Sequence, residues 1–167
     1  MKTAATIRKV LDKVLSNACA LVFAFMVCVG TYQIVIRYFF NSPSTVSEEL
    51  LTYSFTWMAL MASAYVFGKR DHMRMGFLAD KLTGTKKLVL SIAIECLIFA
   101  FAAVVLVFGG ISIMKLTMTQ VTASLGISMG VVYTIVPLIG VIILAYTVLN
   151  IIDLAHGIDV HDVQPEQ

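Results

Sequence analysis

No charged side chain interrupts the sequence between Lys13 and Arg37, between Glu49 and Lys69, or from Leu116 to Ile152, and a single carboxylate, Glu95, interrupts the run Leu88–Met114. A helix needs about 20 apolar residues to cross the hydrocarbon core of a bilayer. A water-facing helix of that length keeps charge on its outer face. These runs therefore restrict the fold more than any motif in the chain. Each fits helix length, and none shows the alternation of a barrel strand, so the expected fold is an all-α integral membrane protein. The stretch from Leu116 exceeds one span, and its first part is rich in Thr, Ser and Gln, which places the fourth helix near Met129. Four transmembrane helices are expected at about 14–36, 46–68, 88–114 and 129–152. Together they form one membrane domain, residues 14–152, with short amphipathic interfacial helices beside it.

Composition supports the same solvent. Charged residues make up 13% of the chain, against about a quarter in soluble domains, too few to cover a surface in water. The apolar run from Val14 exceeds the roughly 7–15 residues of a signal-peptide core, so it is expected to remain as the first span.

The distribution of Lys and Arg sets the expected orientation. Lys2, Arg8, Lys9 and Lys13 precede the first span. Lys69, Arg70, Arg74, Lys81, Lys86 and Lys87 flank the second connection. Only Arg37 and Lys115, of the twelve basic residues, fall on the other side. Both termini, including a tail at 153–167, are thus expected in the cytoplasm of a bacterial cell. The chain would lie in the inner membrane, with residues 37–49 and 115–128 facing the periplasm. Residues 1–13 form a basic amphipathic segment, with Ile7, Val10, Leu11 and Val14 at helical spacing, and Met75, Leu78, Ala79 and Leu82 repeat the pattern. Such segments settle on anionic headgroups or dock on a partner's helix.

Local signals mark the helix ends. Asn41 and Pro43 close the first helix. Thr45 and Glu48 match a capping box for the second. Ala64 with Gly68, and Gly126 with Gly130, are spaced for close helix contact, and Gly109–Gly110 and Pro137 read as packing features.

Candidate chemistry is sparse. Cys19, Cys28 and Cys96 lie in apolar stretches, odd in number and without metal-site spacing. His72, His156 and His161 lie outside the spans, which argues against a haem held between helices. Neither a phosphate loop nor a catalytic triad is present. No cofactor, metal or nucleic acid is expected, and the chain does not read as an enzyme. Glu95 is the one charge inside a span. Such an acid can carry protons in a small transporter, but a carboxyl hydrogen-bonded to Asn17, Ser63, Tyr65, Tyr146 or Asn150 is the favoured reading. Glu48 and Glu49 suit the positive end of a helix dipole. They are also candidates, with nearby Arg37, for contacts to a partner.

One order of residues resembles a known family. Arg37-Tyr38-Phe39-Phe40-Asn41-Ser42-Pro43, then Ser47-Glu48-Glu49-Leu50, then Trp57 and His72, is similar to the small membrane subunit of tripartite ATP-independent periplasmic (TRAP) transporters. So is Leu125-Gly126-Ile127 followed by Met129, Tyr133 and Pro137. The resemblance covers residues 14–152. It implies a non-catalytic scaffold that braces a large, elevator-type membrane subunit of about twelve spans. A periplasmic binding protein would deliver an organic anion, such as a C4-dicarboxylate, a sialic acid or a related sugar or keto acid, for sodium-driven import. Arg37, Glu48, Glu49 and Trp57 are then candidate contacts to the large subunit or the binding protein. Two other readings stay open: an independent proton-coupled transporter using Glu95, and a membrane anchor for an enzyme complex.

Overall fold

The computed structural model describes residues 2–69 and 85–155. The amphipathic segment expected at 75–82, and all three histidines, lie outside them. Four helices are long and apolar enough to cross a membrane: Thr6–Phe39, Thr45–Lys69, Val89–Leu116 and Met129–Ile152. In sequence order the elements are α1 (Lys2–Phe39), α2 (Thr45–Lys69), α3 (Thr85–Phe101), a π-helical segment (Ala102–Gly109), α4 (Gly110–Leu116), α5 (Met129–Tyr133) and α6 (Ile135–Ala155). The third span is α3, the π segment and α4 run together, and the fourth is α5 with α6. Up-and-down order places residues 2–12, 65–69, 85–95 and 146–155 at one end of the bundle, here the terminal end. Residues 37–50 and 114–131 lie at the distal end.

Two helix ends refine the sequence reading. Asn41 takes a left-handed conformation (φ 49), and the Ser42 N–H turns back 3.4 Å to the Ile36 carbonyl. Asn tolerates this geometry through its short polar side chain, so α1 stops as expected. The start of α2 lies one residue earlier than the capping box implies. Ser44, not Thr45, is the cap: its Oγ accepts from the Ser47 N–H (3.4 Å) and the Ser47 hydroxyl (3.1 Å). With Ser44 as the cap, Ser47 stands at the third helical position, which a capping box gives to Glu, and Glu48 is left exposed.

The fourth span is the packing axis. In its most apolar stretch 44% of the residues are buried, against none in the most apolar stretch of the first span. Ile135, Ile139, Ile143 and Tyr146 fall on one face of α6 at helical spacing. They form the core with Met61 and Ala64 of α2, Ala102 of the π segment and Leu15 of α1. The outer faces keep large apolar side chains exposed, including Leu21, Phe23, Leu97 and Phe108. Lipid solvates such faces at no cost.

Small residues let the third and fourth spans approach. A Cβ at Gly110 would lie 2.9 Å from the Pro137 ring, and one at Gly140 2.8 Å from Leu106. The meeting point is the π segment, and Gly110 and Pro137 act in packing as read. Pro137 also has no N–H to give the Tyr133 carbonyl, so the fourth helix breaks at Thr134 instead of running unbroken from Met129. On α2, Ala64 is fully buried, and a Cβ at Gly68 would sit 2.6 Å from the Tyr146 ring. Gly130 fits against Met114 and Met118, but Gly126 does not form a helix contact with it. Gly126 has φ +68 and no neighbour within 4 Å of a would-be Cβ. It makes the turn of the loop before α5, where a left-handed residue is required.

Candidate functional site

Two polar constellations stand out, one at each end of the bundle. The distal one is built on a single face of α2. Glu49, Tyr53 and Trp57 recur every four residues, so a helix stacks them in a row. The row meets the connection 117–128, which is folded on itself. Val121 and Ser128 form an antiparallel bridge, and the Thr122 N–H bonds the Ile127 carbonyl at 2.8 Å. Ser128 caps α5 by accepting from the Gly130 N–H at 3.2 Å. The tip of this loop presents two successive backbone N–H groups, from Ser124 and Leu125, and both donate to Glu49 Oε2, at 2.8 and 2.9 Å. Tyr53 Oη donates to Glu49 Oε1 at 2.8 Å. Further along, Trp57 Nε1 donates to the Val132 carbonyl at 3.0 Å. Consecutive N–H groups form an anion-binding nest, and here the chain's own carboxylate fills it.

The sequence reading treats Glu48 and Glu49 alike, as candidates for contacts to a partner. The geometry separates them, because the loop tip comes back over α2 and takes the Glu49 carboxylate. Glu48 and Arg37 stay exposed, and the side chains of Arg37 and Glu48 make no bond with each other. Each sits at the helix end that its charge favours, Glu48 in the first turn of α2 and Arg37 in the last turn of α1. Glu49 and Trp57 are thus brought together through the loop and α5, and Arg37 and Glu48 are not. Beside the row runs an apolar groove of about 500 Å³, with Val22 and Phe25 on one wall and Ile127 and Val132 on the other.

The terminal constellation was only half visible in the sequence. Glu95 is 6% exposed, and its Oε1 accepts from Asn150 Nδ2 at 3.2 Å, one of the partners proposed for it. Asn150 Oδ1 in turn accepts from Arg8 Nη2 at 2.9 Å. Arg8 Nη1 donates to the Gly68 carbonyl at 3.2 Å. One turn along α1, Asp12 accepts from the Tyr146 hydroxyl at 2.5 Å. Arg8 is 7% exposed, which corrects its reading as part of a segment lying on the membrane. Residues 6–14 are the opening turns of α1, and their inner face, Arg8, Leu11, Asp12 and Leu15, packs on this chain's own α2 and α6. The signal was the spacing of these four residues, hidden because Lys9 and Lys13 lie beside them. All buried side-chain nitrogen and oxygen atoms among the described residues have partners.

The fold and the two constellations define a four-span helical membrane protein whose described buried polar groups all have partners. The sequence pattern of the DctQ component of tripartite ATP-independent periplasmic transporters matches residues 26–157, and the chain belongs to that family. It is 30% identical over 128 residues, 76% of each chain, to a protein of Haemophilus influenzae provisionally named a TRAP transporter small permease protein. It is 28% identical over 103 residues to the sialic acid TRAP transporter small permease protein SiaQ of Vibrio cholerae, covering 62% of this chain and 60% of that one. The chain is a small permease subunit of a TRAP transporter, a multi-pass membrane protein and not an enzyme.

Proposed function

We propose that this subunit is the fixed scaffold of a secondary transporter that imports an organic anion on a sodium gradient. It braces a large, elevator-type membrane subunit, and a periplasmic binding protein delivers the anion. The observation that carries this reading is the self-contained polar interior. Arg8, Glu95, Asn150, Asp12, Tyr146 and Glu49 spend hydrogen bonds on this chain's own groups, whereas a transport route needs polar groups turned toward a ligand. The Glu95–Asn150 bond favours a structural role for that carboxyl over a proton relay. The chain resides in the inner membrane with both termini in the cytoplasm, so the distal end faces the periplasm. Sialic acid, which the Vibrio cholerae relative's name specifies, is the first substrate to try. Arg37 and Glu48, exposed at the distal end, are the side chains left to meet the large subunit or the binding protein.

Mild detergent extraction of the tagged chain, co-expressed with a large TRAP membrane subunit, tests the proposal. A stable heterodimer is expected. In vesicles it should take up the anion only with binding protein and a sodium gradient present. A homodimer that moves cations against protons would overturn the reading.

A further inference from the structure

At the terminal end every one of the four spans contributes to a single buried polar cluster. Arg8 comes from α1, the Gly68 carbonyl from the last turn of α2, Glu95 from α3 and Asn150 from α6. Exposures of 7% for Arg8, 6% for Glu95 and 2% for Asn150 remove the three side chains from solvent. The chemistry is directional. The Asn150 amide accepts from the guanidinium and donates to the carboxyl, so it joins a cation to an acid without adding charge. The guanidinium is also forked, with one nitrogen on the α2 carbonyl and the other on α6. A carbonyl in a helix's last turn attracts a cation.

Elsewhere the spans are less evenly tied. The first span meets the others mainly through α2, and toward the distal end the groove separates it from the loop and α5. From this we infer that Arg8, Asn150 and Glu95 are positioning residues that tie the four spans together in the order α2, α1, α6, α3, and that this tie keeps the subunit in one shape while the large subunit moves. The inference rests on the scaffold reading for its purpose, but the tie is a property of this chain alone.

The test uses the full chain with its large subunit. Spin labels at Val10→Cys and Val89→Cys, exposed positions on α1 and α3, are placed in a background lacking Cys19, Cys28 and Cys96. Pulsed electron paramagnetic resonance then reads the distance between the two helices. The wild-type pair should give one narrow distribution. Arg8→Met and Glu95→Leu should broaden it and lower the recovery of complex by about tenfold, because each strands part of a buried charged cluster. Arg8→Lys should fail in part, since one ammonium cannot replace a fork aimed at two helices. Glu95→Gln should behave as wild type, because its amide oxygen still accepts from Asn150. The triple variant R8M/N150L/E95M removes the cation, the amide and the acid together instead of stranding one against the others, and should regain much of the narrow distribution and the recovery.

An unchanged distribution and full uptake in Arg8→Met would overturn the inference. So would a Glu95→Gln variant as damaged as Glu95→Leu, which would give that carboxyl a titrating role. If wild type fails to pair with the large subunit, the scaffold reading falls. The distances measured on the small subunit alone would still decide whether the three side chains tie the spans together.

Discussion

Glu49 shows how one side chain can organise a segment far from it in sequence. The loop tip around Ser124 and Leu125 has two backbone N–H groups that the loop itself does not satisfy, and the carboxylate on α2 accepts both. Replacing Glu49 with Ala removes the acceptor and leaves the loop its own few bonds. Hydrogen exchange read by mass spectrometry should then show faster exchange at Ser124 and Leu125, with the amides of α6 unchanged. Trp57 makes a different kind of bond. Its indole donates to the Val132 carbonyl, while its ring packs against the core. Trp57→Phe keeps most of the packing and loses the donor, which should cost about 0.5–1.5 kcal/mol. The detergent-solubilised protein should unfold at a correspondingly lower temperature.

Helix ends and helix crossings give sharper contrasts than helix middles. Ser44 caps α2, and Thr45 is its first helical residue. Ser44→Ala should therefore cost about 1 kcal/mol, a typical value for a lost cap, and Thr45→Ala much less. The reverse order would restore the capping box read from the sequence. Gly109 and Gly110 form a second contrast. A Cβ at Gly110 meets the Pro137 ring at 2.9 Å and its backbone nitrogen at 3.0 Å, whereas one at Gly109 finds nothing nearer than 3.6 Å. Gly110→Ala should cost about 1–3 kcal/mol by overpacking. Gly109→Ala should be neutral, or stabilising by up to about 1 kcal/mol through helix propensity. Thermal unfolding of the two variants separates them. Nothing in the sequence distinguishes these neighbours, since only the crossing with the fourth span decides which of them faces Pro137.

At the scale of the molecule, the proposed orientation puts the distal end in the periplasm. Single cysteines at Ser42 and Ala123, both exposed, should react with an impermeant thiol reagent in intact cells, in a background without native cysteines. One at Thr83, in the connection between the second and third spans, should not. The opposite pattern would invert the assignment. The spans themselves were legible because lipid imposes a simple demand, long runs without charge, and that demand leaves its mark locally. Asn41 as a helix stop and Gly68 as a contact were legible for a related reason, since backbone geometry and side-chain size act where the residue stands. The terminal cluster was not legible in the same way. Arg8 reads as one more surface cation beside Lys9 and Lys13, and its partners lie 60 and 142 residues away. Glu49 escaped likewise, because an acid at a helix start already has a sufficient local explanation.

The long separation between Arg8 and Asn150 has a consequence for how the protein is made. A ribosome adds about 5–20 residues per second, so on the order of ten seconds pass between the synthesis of Arg8 and that of Asn150. During that interval the first three spans can enter the membrane, but the guanidinium has no amide to grip and Glu95 has no donor from α6. The nascent chain thus lacks the Arg8–Asn150 and Asn150–Glu95 bonds until its last helix arrives. A chain that stops short of α6 never forms them, so the join between the first and third spans is the last part of the subunit to be completed.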